Sequence, residues 1–149
     1  MITEMVNPYP DQACFFCGRD NQQGLHLRFF YNDELPTVFA DYLPEGRFAG
    51  QGTILHGGIQ AGIMDEIMGW TGFFHTKTLA VTTSLDMRYH RPVYITGQPV
   101  RISCRYLKTD GNKIHLEAEI TDGAGTVCTS AAGVFHVISE EKYNALVRR

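Results

Sequence analysis

Two glycines after a histidine, His56-Gly57-Gly58, stand at the head of the longest segment with helical periodicity in this 149-residue chain. Backbone N–H groups at a helix N-terminus are unpaired and carry the positive end of the helix dipole, so they suit an oxygen that becomes anionic. A glycine there has no Cβ to keep a reacting carbonyl away from the backbone. Asp65 follows two turns further along the same segment, where a carboxylate can act as general base on water or as the attacking group. An apolar helix should raise the pKa of such a carboxylate by desolvation. Glu66, about 100° further round the helix, faces elsewhere. Cys14-Phe15-Phe16-Cys17 is the one cysteine pair with ligand-like spacing. Cys104 and Cys128 sit on separate predicted strands and make no second close pair, so the expectation is a turn with two small apolar thiols and no metal.

The segments that must position these groups are readable from period and turn chemistry. Leu25, Leu27, Phe29 and Tyr31 alternate with His26, Arg28 and Phe30 as a half-buried strand; Asn32 to Pro36 reads as a turn, and Thr37 to Leu43 as the antiparallel return. A glycine-rich loop, Pro44 to Thr53, leads to a helix over Gly58 to Phe74. On it Ile59, Ile63, Ile67 and Trp70 form a large apolar stripe, while Gly58, Ala61, Gly62, Asp65, Gly69 and Gly72 form a small one. Each helical glycine is about 1 kcal/mol worse than alanine, so four of them imply close approach by backbone or ligand. Alternation then marks strands over Leu79–Val93, Gln98–Lys108, Lys113–Thr121 and Thr126–Ile138. Asp110-Gly111 and Asp122-Gly123 are hairpin signals between them, so these four strands are expected as an antiparallel meander. Ser139, followed by Glu140 and Glu141, predicts a capped C-terminal helix. One apolar helix with this many antiparallel strands predicts an α+β fold with a sheet curled around the helix, leaving its other flank for a second subunit.

Three stretches together carry a family resemblance: Phe48 to Gly58, with the sequence FAGQGTILHGG; Asp65-Glu66; and Thr82 to Pro92, which contains Thr82-Thr83-Ser84 and ends in Tyr89-His90-Arg91-Pro92. The chain resembles the hotdog-fold thioesterases of the phenylacetate-degradation and 4-hydroxybenzoyl-CoA type. Cys14 to Gly18, Asn21 and Gly24-Leu25 look like the opening of one branch of that superfamily. The resemblance implies one hotdog domain over residues 1–149, an antiparallel curved sheet wrapped around one long central helix, with an N-terminal extension over 1–23. It implies an acyl-CoA thioesterase in which the Gly57 N–H is the principal oxyanion donor, His56 orients the loop or the substrate carbonyl, and Asp65 comes from the facing subunit. Thr82 or Thr83 takes the place of a hydroxyl residue that bonds the acid or its water; alternation lets only one face the site, and Thr82 is preferred. Gly58, Thr83 and Gln51 are expected against the substrate, Gln51 standing near where relatives carry an amide. The implied assembly is a homodimer, with a dimer of dimers as the larger form, and no cofactor is called for.

Ordinary alternatives stand beside these roles. His56 could only bond its loop, Asp65 could pair with a strand residue, and a non-catalytic acyl-CoA-binding or regulatory domain could use the same glycine loop. A hydratase would call for an Asp and a His within a few residues, whereas His56 and Asp65 are nine apart. His26, His75, His90, His115 and His136 show no metal-like spacing. Arg88, Arg91, Lys108 and Lys113 are candidates for coenzyme A phosphates, with solvated surface charge as the alternative for each.

Composition excludes other classes. A net charge of −3 and a pI near 6.0 lack the basic footprint of a nucleic-acid binder. Ile54 to Phe74 is broken by His56, Gln60, Asp65 and Glu66, so no membrane span is expected. Met1 to Asp11 has acidic residues and prolines in place of a basic and then apolar leader, which points to the cytoplasm.

Overall fold

The computed structural model describes residues 1–7 and 11–148; residues 8–10, part of the expected extension over 1–23, lie outside the described residues. Its strands are β1 (Ile2–Glu4), β2 (Phe30–Asn32), β3 (Thr37–Tyr42), β4 (Ala80–Tyr89), β5 (Val100–Asp110), β6 (Lys113–Thr121) and β7 (Val127–Val137). They form one antiparallel sheet in the order β1-β2-β3-β5-β6-β7-β4, against which the 20-residue helix α1 (Gly57–Thr76) packs. A short helix α2 (Glu140–Val147) follows β7, and the Ser139 hydroxyl accepts the Lys142 N–H as its cap. No helix among the described residues is long and apolar enough to cross a membrane.

The core lies between α1 and the concave face of the sheet. Ile63, Met64, Ile67, Met68 and Trp70 are buried against Val38, Ile102, Cys104, Ile114, Leu116 and Ile120. Each such side chain contributes about 1.5–3 kcal/mol on burial. Ile63, Ile67 and Trp70 of the expected large stripe are buried, Ile59 is half-buried, and the two methionines widen the stripe. The small stripe is split between surroundings: Gly58 is exposed and Ala61 and Asp65 are half-buried, whereas Gly62 lies under Phe16 and Gly72 is buried against Ile114.

Two expectations need correction. The meander contains three strands, not four: β5, β6 and β7 are joined by the Asp-Gly turns, but β4 pairs with β7, from Ala80↔Val137 to Tyr89↔Thr129. No tight turn follows β4, and residues 90–99 carry the chain across the end of the sheet. That crossing segment is tied to the loop before α1, through Leu55 N–H on the Val93 carbonyl at 2.8 Å and Ile95 N–H on the Thr53 carbonyl at 2.7 Å. The first predicted strand is also shorter than its alternation suggests. Leu27 and Phe29 are buried, but the N–H groups of Leu25 and Leu27 donate to the Phe15 and Phe16 carbonyls, and His26 adopts a left-handed φ of 53°. The partner that continues the sheet is β1, which pairs with β2 and has no counterpart among the strands expected from alternation.

Candidate active site

The start of α1 is held from three sides. His56 is the N-cap, and its Nδ1 accepts the Gly58 N–H at 2.8 Å, so the ring proton resides on Nε2. The Gln60 side chain donates to the Leu55 carbonyl at 2.9 Å and accepts from the Thr129 hydroxyl, joining the loop, the helix and β7 through buried groups. The Tyr89 hydroxyl donates to the Gly57 carbonyl at 2.8 Å. A Cβ on Gly57 would lie 3.4 Å from the Tyr89 ring, so that ring also limits the space around the glycine. With Gly58 engaged by His56 and the first intrahelical bond running from the Gln60 N–H to the His56 carbonyl, the N–H of Gly57, the first residue of the helix, is a donor without an intrahelical acceptor.

Asp65 lies two turns on, half-buried, and accepts a 2.6 Å hydrogen bond from the Thr82 hydroxyl of β4. The ladder between β4 and β7 shifts register between Thr82 and Ser84, so Thr83 is the extra residue of a β-bulge and is exposed. A bulge re-aims its flanking side chains, which is how this strand presents Thr82 to the helix. Gln51 is exposed in the turn before α1, where its carbonyl accepts the Ile54 N–H. The structure thus brings Asp65 and Thr82 together at one end and His56, Gly57 and Gly58 at the other, and places Gln51 and Thr83 in solvent. Arg88 pairs with Asp86 at 3.1 Å on the exposed face, and Arg91, Lys108 and Lys113 are exposed.

Burial pushes Glu66 up to about 7, against the 3.2 Å hydrogen bond it accepts from the Trp70 indole N–H. Glu66 lies beside Cys14 and Cys17, and these three are the group among the described residues whose donor atoms could hold a metal ion. Sequence reasoning assigns none of Tyr89, Gln60 and Glu66 to a site. Tyr89 stands in the strand-end motif, and Gln60 is legible as an amide one helical turn after His56 in an otherwise apolar run. The neighbours of Glu66 lie some fifty residues away in sequence and leave no local signal.

Residues 52–129, more than half of the chain, match the thioesterase superfamily. No curated protein matches the sequence significantly. Among solved structures, a thioesterase superfamily protein aligns at 24% identity and a TM-score of 0.77, over 84% of this chain and 60% of that one. The chain therefore spans less than two thirds of the length of that relative. A Streptococcus mutans UA159 protein bound to acetyl CoA aligns at 17% identity over 69% of this chain and 82% of that one, with a TM-score of 0.64. The Escherichia coli PaaI protein of the phenylacetic acid degradation operon aligns at 14% identity over 69% of this chain and 73% of that one, also with a TM-score of 0.64. These neighbours share the curved sheet and long helix of the hotdog fold.

Proposed function

The chain belongs to the thioesterase superfamily, and from that membership we propose that it hydrolyses acyl-coenzyme A thioesters to a free acid and coenzyme A. The observation that carries the reading is the 2.6 Å bond from Thr82 to Asp65 on the flank of α1 that the sheet leaves open. The hydroxyl donates to Oδ1, which leaves Oδ2 to accept a proton from water. The water oxygen bonds to the thioester carbon, and the carbonyl oxygen takes the negative charge beside a Gly57 N–H. Collapse of this intermediate breaks the C–S bond, and the coenzyme A sulfur takes the proton back from Asp65. Acetyl CoA, bound by one structural neighbour, belongs to the same ligand class, and the substrate is assigned by analogy with it.

We infer that the two ends of this machinery serve one thioester from different copies of the chain. Asp65 is eight residues beyond Gly57, about 12 Å along the helix, whereas a positioned base must lie within about 3 Å of the proton it takes. The donor for each Asp65 therefore comes from a second copy, as a homodimer would provide. The ten-residue strand β4, at the end of the sheet and largely exposed, is the edge through which two copies would meet; a dimer of dimers is the larger assembly.

A hydrolysis screen over short, medium, long and aryl acyl-CoA substrates, read by thiol release, should give turnover with at least one class. Light scattering should show no folded monomer. Tight binding of acyl-CoA without turnover would replace the enzyme by a non-catalytic acyl-CoA-binding domain, and an active monomer would remove the shared site.

A further inference from the structure

One cluster of reactive side chains has no part in the chemistry above. The sulfurs of Cys14 and Cys17 and a carboxylate oxygen of Glu66 lie within 4.8 Å of one another, between the N-terminal segment and α1. We propose that these three residues form a binding site for a zinc-class divalent ion, held by two thiolates and one carboxylate, that fastens the N-terminal segment to the helix.

The turn that carries the cysteines is built for anionic sulfur. It closes through the Gly18 N–H on the Cys14 carbonyl at 2.8 Å, and a Cβ on Gly18 would lie 2.4 Å from both the Cys14 nitrogen and the Gln12 carbonyl, so this position requires glycine. The Asn7 amide donates to the Cys17 sulfur at 3.7 Å, and the Trp70 indole donates to Glu66 at 3.2 Å. Cys17 and Glu66 thus each have an outer hydrogen-bond donor, the arrangement by which proteins orient metal ligands.

Charge argues the same way. Three acids in a largely buried place share protons in the absence of a cation: the Cys14 thiol donates to Glu66 at 3.5 Å. Among the described residues no lysine or arginine forms a salt bridge with Glu66, and a divalent ion would supply positive charge to the cluster. A divalent ion displaces the protons held by the two thiols and the carboxylate, and its affinity rises with pH for that reason.

The geometry fits as well. Zinc bonds of about 2.3 Å to sulfur and about 2.0–2.2 Å to oxygen give tetrahedral edges of roughly 3.5–3.8 Å. The Cys14–Glu66 separation of 3.5 Å already has that length. A surface cavity lined by Asn7, Gln12, Arg19, Arg28 and Trp70 reaches the cluster at Cys17, and water would complete a tetrahedral set. Phe16, between the two cysteines, lies over Gly62 so closely that a Cβ there would be 2.0 Å from its ring. Gly62 and Glu66 are one helical turn apart, so the ring and the ion would grip the same face of α1. Cysteine spacing alone argues against a metal because Cys104 and Cys128 supply no second pair; the third ligand is a helix carboxylate instead.

The test uses the full chain, stripped with a chelator under reducing conditions and titrated with Co2+. We expect one ion per chain, thiolate-to-cobalt charge-transfer absorption, the intense d–d bands of a tetrahedral site, and displacement by one Zn2+. Trp70→Phe, which removes the outer donor to Glu66 along with part of a buried ring packed on Phe29, should weaken binding about 10- to 100-fold. Glu66→Gln should weaken it by more than about 100-fold. Cobalt bound without thiolate charge transfer, no cobalt bound at all, or unchanged affinity in Glu66→Gln would each overturn the site. The wild-type titration decides the matter even if a variant fails to fold, and it is independent of thioester hydrolysis.

Discussion

Asp65 and Glu66 are neighbouring carboxylates on one helix, and the fold gives them opposite surroundings. Asp65 lies on the flank the sheet leaves open and has a single hydroxyl partner on β4; Glu66, about 100° round, lies under the N-terminal segment among two thiols and an indole. Both residues offer the same functional group, so the difference between them is one of solvent and partners. An accessible carboxylate with one fixed oxygen can exchange protons with water. A desolvated one among other acids holds its proton unless a cation replaces it. A single step along the sequence is therefore enough to separate chemistry from architecture.

The largest test of that separation is Asp65→Asn. The amide keeps the volume and accepts the Thr82 hydroxyl but takes no proton, so turnover should fall about a hundredfold or more while acyl-CoA binding stays within about tenfold. Steady-state kinetics and direct binding measure the two, and wild-type turnover in this variant would break the comparison. Next in size is Gly62→Ala, which acts on the other face. Helix propensity favours alanine by about 1 kcal/mol, but the new methyl must displace Phe16, an overpacking of about 1–3 kcal/mol, and urea denaturation should show a net loss of stability. A stabilised variant would mean that the N-terminal segment does not rest on α1.

Thr82→Val sharpens the first face. It keeps the shape and removes the hydroxyl, and a hydrogen bond to a charged group of about 1.5 kcal/mol corresponds to about a tenfold loss of turnover with binding unchanged. A loss as large as that of Asp65→Asn would show the hydroxyl to be part of the chemistry itself. The smallest effect belongs to neither face. His75 stacks on Tyr106, and burial holds its pKa below the ordinary 6.5. As pH falls through 6.5 the unfolded chain takes up this proton before the folded one, so stability present above that pH declines as the folded pKa is approached. His75→Phe should flatten that decline in thermal midpoints measured from neutral to mildly acidic pH, and an unaltered slope would assign it to other groups.

What can be read from the sequence is local. The helix, the Asp-Gly hairpins and the Ser139 cap each rest on residues a few positions apart, and all three are in the structure at the expected places. The bond from Thr82 to Asp65 is expected from the family resemblance, because alternation says only that one of Thr82 and Thr83 faces the helix and the bulge between Thr82 and Ser84 interrupts the strand period. The place of β4 is not legible, since alternation specifies which face of a strand is buried and says nothing of which strand lies beside it. The N-terminal segment escapes for a similar reason. Phe16 on Gly62 and Cys14 beside Glu66 are contacts across some fifty residues, and the short β1 carries too few residues to show a period.

The two hydrogen bonds that link α1 to β4, Thr82 to Asp65 and Tyr89 to Gly57, act as rungs between two rulers of different pitch. From Gly57 to Asp65 the helix advances about 12 Å; from Thr82 to Tyr89 the strand advances about 23 Å. One residue inserted between the rungs on the helix would turn Asp65 by about 100°, and one inserted on the strand would send Thr82 or Tyr89 to the opposite face. Residues 77–79, which join the two elements, lie outside both rulers and could lengthen without moving either rung. For this pair of elements, insertions and deletions are confined to the connection, and the spacing of residues within each element is as strict a requirement as their identity.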